Sequence, residues 1–286
     1  MDNKVPDKSK REKLPGEFVS APEGTDNSSS LAKMLSILDL FTVDEPVWST
    51  IDILSALRAS RSTGYRYIKA LTSAGLLSAV GNGYYILGPR IIELDLQIRM
   101  TDPLSHASDG VLEQLVEATG HSALLCMLFQ NSVLCIRECR AQLSPEKLFS
   151  RGQRRPLFSG AVSKAVLAYL PYHRLHAIFT RRRDTINDAE LGKTWSEFRE
   201  KMAAIRSDGF VKSVGEFNPG VVGIAAPIFN ADEAIVGSIG VAFNADELEA
   251  TEVSRVILLV KRASRVVTER MSKMESGLGM SPRAVG

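Results

Sequence analysis

Apolar residues in the first ninety positions recur at helical spacing in three short segments. In the first segment they form one stripe: Leu31, Leu35, Leu38 and Phe41. Ser30 is a suitable N-cap for this helix. The second segment is STIDILSALRA, and the third occupies residues 60–77, with Ser60 as its N-cap. An apolar stretch interrupted by Gly-Asn-Gly at residues 81–83 follows, which is a strong short-range signal for a β-hairpin. Three short helices followed by a hairpin predict a winged helix-turn-helix module.

The segment after the hairpin predicts a linker helix over residues 89–102. Pro89 suits the first position of a helix, and Pro103 ends the pattern. Three apolar residues between them form one stripe: Ile91, Leu94 and Ile98.

The rest of the chain alternates between segments with helical spacing and segments with the pattern of β-strands. Helical patterns occupy residues 103–119, 159–171, 190–209 and 246–274, with Gly209 as a C-cap. Strand patterns lie on both sides of a turn at 130–132 and over residues 210–217, 220–230 and 234–243. The predicted fold class is therefore α+β: an N-terminal winged helix-turn-helix, a linker helix, and a C-terminal antiparallel sheet flanked by helices.

The third helix carries cations and no acidic residue. At about 100° per residue, one side is apolar or small: Gly64, Tyr67, Ile68, Leu71 and Gly75. The opposite side holds hydroxyls, cations and a ring: Ser62, Tyr65, Arg66, Lys69 and Ser73. The first side suits close packing against the preceding helices. The second suits a DNA major groove, because Arg and Lys pair with phosphates or guanine edges and hydroxyls donate to phosphates. A solvated basic face on an ordinary helix is the alternative.

The predicted DNA contacts extend from this helix to its neighbours. They are Arg58, Arg61, Ser62, Thr63, Tyr65, Arg66, Lys69 and, at the hairpin tip, Asn82. The hairpin itself carries no Lys or Arg, so its contribution rests on backbone amides or Asn82.

Composition narrows the possible classes of protein. The chain has 286 residues and a net charge of +2, so a nucleic-acid site must be a local patch. No apolar run reaches the roughly 18 residues that span a bilayer. Three cysteines, Cys126, Cys135 and Cys139, favour a reducing cytoplasm and buried free thiols. Neither the C-x3-C pair nor His173 and His176 has further ligands nearby, so we expect no metal and no cofactor.

Several motifs together resemble one protein family. The segments SLAKMLSILDLF, SRSTGYRYIKALTSAGLL and GYYILGPRIIELD resemble the N-terminal half of IclR-family transcription regulators. RGQRRPLFSGAVSKAVLAYLP and IRSDGFVKSVGEFNPGVVGIAAPIFN resemble the second half of such regulators. The resemblance covers residues 30–274. It implies a ligand-responsive regulator, repressor or activator of a catabolic operon, which binds palindromic double-stranded DNA as a homodimer or dimer of dimers.

The resemblance also implies a division into domains. The winged helix-turn-helix is expected over residues 29–88 and the linker helix over 89–102. The polar composition and the prolines of residues 1–28 predict a disordered tail before them. A GAF-like effector-binding domain is expected over 103–275, followed by a flexible tail over 276–286.

An effector pocket is implied beside the start of the helix 159–171 and on the facing strands. The matching positions are Gly160, Ala161, Val162, Ser213, Gly223, Gly240 and Ala242. Small, weakly polar walls leave room for a bulky ligand, so we expect a small organic acid, in particular an aromatic one. Its carboxylate would meet Arg151, Arg154 or Arg155. Small residues on strands also serve sheet packing alone, and the recurrent acidic residue Glu216 suits a surface salt bridge equally well.

Two other classes of protein are weighed against this interpretation. An enzyme with a DNA-binding appendage would need an acid–base or nucleophile constellation, and the sequence offers none. An architectural nucleoid protein would be broadly basic, and this chain is nearly neutral. The basic segment TRRRDT at residues 180–185 is predicted to be a solvated loop, with an interface role as the alternative.

Overall fold

The computed structural model describes residues 29–145, 148–245 and 250–278. It divides into two compact units, and the division falls between Asp95 and Leu96. The tail expected over residues 1–28 lies outside the described residues. Of the tail expected over 276–286, residues 276–278 belong to the last helix and the others lie outside the described part.

The first unit consists of short helices and a small sheet. Its helices are α1 (Ser30–Leu35), a 3-10 turn (Leu38–Leu40), α2 (Thr50–Leu57) and α3 (Arg61–Ser73). Its strands are β1 (Trp48–Ser49), β2 (Leu77–Gly81) and β3 (Tyr84–Leu87), in the antiparallel order β1-β3-β2. The core beneath them contains Ile37, Phe41, Ile53, Tyr67, Ile68, Leu71 and Leu77. This arrangement is the predicted winged helix-turn-helix.

The first helix differs from the prediction in its cap and its stripe. Ser29, and not Ser30, accepts the hydrogen bond from the Ala32 amide. Because the α-helix ends at Leu35, the predicted stripe is not continuous. Leu31 and Leu35 are 67% and 51% exposed, whereas Ile37 is fully buried.

The hairpin turn follows from its residue types. Asn82 and Gly83 both have positive φ, 50° and 74°, which is the requirement of a type I′ turn. Thr50 anchors this turn, because its backbone amide and its hydroxyl both donate to the Gly83 carbonyl, at 2.8 and 2.9 Å. Trp48 and Ser49 also pair with β3 and widen the hairpin into a three-stranded sheet, so Ser49 belongs to β1 and not to the second helix, where the sequence pattern places it.

Helix α4 (Arg90–Thr101) crosses the division between the two units. It follows Pro89, as predicted, but none of its residues is buried. Ile98, which was placed on the apolar stripe, is 58% exposed. The stripe of α4 is therefore not a buried face.

The second unit is an antiparallel sheet between two helical layers. Its strands are β4 (Ser122–Phe129), β5 (Ser132–Cys139), β6 (Arg154–Pro156), β7 (Val211–Val214), β8 (Val221–Phe229) and β9 (Ile235–Asn244). They are ordered β6-β5-β4-β9-β8-β7. The helices are α5 (Pro103–Ala107), α6 (Val111–Thr119), α7 (Ala161–Leu167), α8 (Tyr172–Arg181), α9 (Arg183–Asp188), α10 (Trp195–Asp208) and α11 (Ala250–Leu278).

Alternation along the strands assigns each helix to one face of this sheet. Leu124, Ala225 and Ala242 join the core with α7, α8 and α10. Leu125, Ile224 and Val241 join the core with α5, α6 and α11. Since both faces are covered, the strands read as nearly continuous apolar runs.

Two predicted helices and one predicted loop in this unit need correction. The helix expected over residues 103–119 is two helices, because Gly110 takes a left-handed conformation with φ 72° between them. The helix expected to end at Pro171 ends at Leu167, and Pro171 instead caps α8. Residues 180–185 are not a loop, since they span the end of α8 and the start of α9. Gly209 caps α10 with φ 71°, as predicted.

Candidate nucleic-acid interface and ligand cavity

Helix α3 begins at a capping serine. The Ser60 hydroxyl oxygen accepts a hydrogen bond from the Thr63 amide at 3.3 Å and donates to the Thr63 hydroxyl at 2.9 Å. This cap orients the first turn of α3. No acidic residue lies on the helix.

The two sides of α3 are separated as the helical period predicts. Its buried residues are Gly64, Tyr67, Ile68 and Leu71. Its exposed residues include Arg61, Ser62, Tyr65, Arg66 and Lys69, and Thr63 is half-buried. Gly75 was predicted to lie on the apolar side of the helix. It instead follows the C-cap of α3, Ala74, and takes a left-handed conformation with φ 73°. Tyr67 fixes the buried side through a 2.8 Å hydrogen bond between its hydroxyl and that of Ser30.

The remaining candidate DNA contacts lie on neighbouring elements of the same unit. Arg58 is the exposed C-cap of α2 and has φ 47°. Asn82 is exposed at the hairpin tip. This unit can therefore offer a cationic surface on α3, extended toward α2 by Arg58.

The second unit contains a cavity between α7 and the sheet. Its mouth is open to solvent. The lining residues include apolar and aromatic side chains: Leu124, Leu148, Phe149, Phe217 and Val221. They also include six of the seven predicted effector positions: Gly160, Ala161, Val162, Ser213, Gly223 and Ala242.

Gly240 is the predicted position that does not line the cavity. A Cβ at this residue would lie 2.5 Å from the Ile224 carbonyl oxygen and 2.8 Å from the Cβ of Ala225. The glycine therefore serves close packing between β8 and β9.

Arg155 is the cation of the cavity. Its guanidinium carbon lies 4.2 Å from the ring centroid of Phe149 and 3.8 Å from that of Phe217. Its Nη1 lies 3.7 Å from the position that a Cβ of Gly160 would occupy. Burial lowers the pKa of Arg155 to about 10, so the group stays charged at neutral pH. Arg155 forms no ion pair with any residue that the structure describes.

The other two candidate arginines have different contacts. Arg154 lies 4.4 Å from the ring centroid of Phe129, and Arg151 donates to the Ile136 carbonyl. Neither lines the cavity. The aromatic residues Phe149 and Phe217 were missed by sequence reasoning, because nothing in their local pattern indicates that they meet at one guanidinium.

Glu216 organises the mouth of the cavity. Its Oε2 lies 2.7 Å from Nζ of Lys164 and accepts from the Gly160 amide at 3.0 Å. The next amide, of Ala161, donates to the Ser213 hydroxyl at 3.0 Å. The first amides of α7 are thus occupied by protein groups. Glu216 both forms the salt bridge and lines the cavity.

The arrangement suits a ligand with an apolar body and one anionic group. Most of the walls are aliphatic or aromatic, Arg155 is the cation among the lining residues, and the Glu216 carboxylate at the mouth is already bound by Lys164 and the Gly160 amide. In the described ranges, no three His, Cys, Asp or Glu side chains are grouped so as to hold a metal ion. No helix among the described residues has the length and apolar character to cross a membrane.

Comparisons with known proteins point to one family. A family model described as the C-terminal part of bacterial IclR transcriptional regulators matches residues 99–269. The HTH-type transcriptional regulator KipR of Bacillus subtilis is 22% identical over 221 residues, which are 75% of this chain and 86% of KipR.

Solved structures resemble the chain over most of its length. An IclR transcriptional regulator from Silicibacter sp. TM1040 has a TM-score of 0.72 and 23% identity, covering 85% of this chain and 96% of that one. An IclR homolog from Microbacterium hydrocarbonoxydans, solved in complex with 4-hydroxybenzoate, has a TM-score of 0.68 and 19% identity, covering 85% and 99%. These likenesses establish a shared fold.

Proposed function

The chain belongs to the IclR family of bacterial transcriptional regulators, and from that premise we propose that α3 binds duplex DNA and that the cavity binds an aromatic carboxylic acid. The family is one of regulators and not of enzymes, so the chain is a regulator as well. In this proposal, residues 29–88 form the DNA-binding domain, residues 89–102 form the linker helix between the domains, and residues 103–275 form the domain that binds the ligand.

The proposed DNA interface rests on the charge separation across α3. One side is buried and apolar, while the other exposes Arg61, Arg66 and Lys69 without any carboxylate on the helix. A helix of this kind gains from the negative potential of a major groove, and its guanidinium groups fit phosphate and guanine edges. The full set of proposed contacts is Arg58, Arg61, Ser62, Thr63, Tyr65, Arg66, Lys69 and Asn82.

Removal of one cation tests this interface. We expect Arg66→Ala to weaken binding to a DNA fragment selected by the wild-type chain by about 1–3 kcal/mol. The matched control is Arg199→Ala, which removes an exposed cation of α10 in the other unit and should leave affinity unchanged. Gel-shift titration measures both variants, and equal affinity of Arg66→Ala and the wild type would contradict the assignment of α3.

The proposed ligand class rests on Arg155 and its two phenyl rings. The guanidinium forms no ion pair with a described residue, and carboxylates bind guanidinium groups through two parallel hydrogen bonds. Beside it, the apolar walls of the cavity suit a ring better than the short chain of a small oxoacid. The complex of the Microbacterium homolog with 4-hydroxybenzoate supports the same class of ligand.

Calorimetric titration tests the ligand class. We expect binding of 4-hydroxybenzoate or benzoate and weaker binding of glyoxylate and pyruvate. Arg155→Met should weaken binding of the aromatic acid by about 1.5–3 kcal/mol, the range for hydrogen bonds between charged groups. Arg154→Met is the control, since Arg154 contacts Phe129 away from the cavity. Tight glyoxylate binding without aromatic acid binding would refute the proposal.

We also propose that the regulator acts in the cytoplasm as a homodimer or dimer of dimers on a palindromic operator of a catabolic operon. One short helix makes few contacts, so twofold repetition is needed for tight binding. Apolar residues along α4 remain exposed and could be covered by a second copy: Ile92, Leu96 and Met100. Ligand binding would shift the population between dimers that bind DNA and dimers that do not.

A further inference from the structure

Two cysteines face each other in the centre of the second unit. Cys126 of β4 and Cys135 of β5 are partners in the antiparallel register, next to a shift in the register between Leu125 and Cys126. Both are fully buried in the core beneath α7. Neither residue lines the cavity or takes part in the proposed function.

Backbone hydrogen bonds show that Cys126 and Cys135 form a non-hydrogen-bonded pair of the antiparallel ladder. The Cys135 amide donates to the Gln153 carbonyl at 3.0 Å, and the Cys135 carbonyl accepts from the Gly152 amide at 2.9 Å. Both backbone groups of Cys135 thus face away from β4. In a regular antiparallel ladder, a non-hydrogen-bonded pair has its Cα atoms about 4.5 Å apart. This separation falls inside the window of about 4.4–6.8 Å that a disulfide requires.

We propose that Cys126 and Cys135 form a redox modification site, in which a hydroperoxide converts the two thiols into a cross-strand disulfide. One thiolate attacks a peroxide oxygen, the O–O bond breaks, and the sulfur becomes a sulfenic acid while water or an alcohol leaves. The second sulfur then attacks the first, the S–S bond forms, and the hydroxide leaves with the thiol proton as water. The thiols lose two electrons and two protons, and the peroxide gains them.

Because both cysteines are buried, their oxidation depends on local opening of the sheet. Loss of solvent raises the pKa of the Cys126 thiol, and the nearby charge of Arg155 acts in the opposite direction. The Cys126 thiol is therefore protected from oxidation while the sheet is intact. The segment that covers Cys135 ends in β6, an edge strand of three residues. Short edge segments open at low cost, so oxidation proceeds through local opening of residues 150–156.

The disulfide would act on the strand that carries the cavity cation. Arg155 lies opposite Val133 of β5, and the same strand carries Cys135 two residues later. A covalent link from β4 to β5 constrains the partner strand of β6. Reversible disulfides in reducing compartments usually serve redox sensing, which fits a regulator.

Mass spectrometry of the full chain tests the site. Trypsin leaves Cys126 and Cys135 on one peptide, residues 100–137, and Cys139 on the next, residues 138–140. After hydrogen peroxide and denaturing alkylation, we expect peptide 100–137 to lose two hydrogen atoms and to take up no alkyl group. Dithiothreitol should restore both alkylation sites. Alkylation of both cysteines at peroxide doses that already oxidise Cys139 would overturn the proposal.

Two variants separate the pair from the third thiol. Cys139→Ser should form the disulfide as the wild type does, whereas Cys135→Ala should leave Cys126 available for alkylation. The wild-type peptide map decides the question even if Cys135→Ala does not fold. Hydrogen exchange of residues 148–156 gives a ligand-independent readout. It should differ between the oxidised and reduced chains, and equal exchange would overturn the link to β6.

Discussion

Gly64 is a point of close contact between α3 and α2. A Cβ on this residue would lie 1.9 Å from Cδ2 of Leu54. Overpacking costs about 1–3 kcal/mol, while alanine recovers about 1 kcal/mol of helix propensity. We therefore expect Gly64→Ala to lower the free energy of unfolding of the first unit by up to about 2 kcal/mol. Urea denaturation followed by circular dichroism measures this change.

Shortening of Leu54 provides the control for this contact. The double variant Gly64→Ala with Leu54→Val removes the clashing methyl group and should be more stable than Gly64→Ala alone. If Gly64→Ala matches the wild type in stability, the Leu54 side chain has room to rotate and the glycine is not required.

Single residues differ in how far the sequence predicts their place. The helical period alone assigns Arg66 to the exposed side of α3 and Ile68 to the buried side, because a helix repeats its direction every 3.6 residues. The choice between Arg154 and Arg155 depends on the pairing of β6 with β5, which neither segment encodes locally. Gly240 shows the same limit, since only the neighbouring strand distinguishes a packing glycine from a cavity wall.

His106 connects α5 to the end of α4. Its Nε2 lies 2.9 Å from the Met100 carbonyl oxygen, and its Nδ1 lies 3.6 Å from Oδ2 of Asp109. The hydrogen bond to Met100, followed by the Asp109 carboxylate, raises the pKa of His106 above its ordinary value of 6.5. Because the raised pKa belongs to the folded state, the stabilisation is complete below the ordinary value and is lost as the pH rises through the folded pKa.

Nuclear magnetic resonance titration of the imidazole signals measures this pKa directly. We expect His106 to titrate above 6.5 in the folded chain. The variant Asp109→Asn should lower the pKa of His106 while leaving the Met100 hydrogen bond in place. A pKa of His106 at or below 6.5 in the wild type would show that Met100 and Asp109 do not stabilise the protonated imidazole.

Elements with strong local signals were predicted well, and those fixed by partners were not. The hairpin follows from Asn82 and Gly83, and the end of α10 follows from Gly209. In contrast, β1 is two residues long and exists only because β3 lies beside it. The break at Gly110 was missed because an isolated glycine within a helical pattern is also compatible with one continuous helix.

The second unit is held together by contacts between residues far apart in sequence. Basic side chains of α11 donate to carbonyl groups at the ends of three other segments: Arg255 to Ala118, Lys261 to Asp208, and Arg270 to Asp109. Cations at helix C-termini also interact favourably with the negative end of the helix dipole. The α+β class was predictable from the pattern of elements, but these ties depend on the folded arrangement and leave no local signal.

The salt dependence of the proposed DNA binding should report the number of phosphates that the protein contacts. The net charge is only +2, so affinity must come from the local cations of the first unit. Arg58, Arg61, Arg66 and Lys69 are exposed in each copy. If two copies neutralise about eight phosphates, the logarithm of the binding constant should fall with the logarithm of salt concentration at a slope of about −7.

The same slope reports how many copies bind one operator. Each phosphate contact contributes about −0.9, so Arg66→Ala should reduce the steepness by about 2 in a dimer and by about 1 in a monomer. Fluorescence anisotropy of a labelled operator at several salt concentrations measures this difference, with Arg199→Ala as the control. A steepness unaffected by Arg66→Ala, together with relaxed sequence preference, would instead assign Arg66 to a base edge, because base contacts carry specificity and phosphate contacts carry the salt dependence.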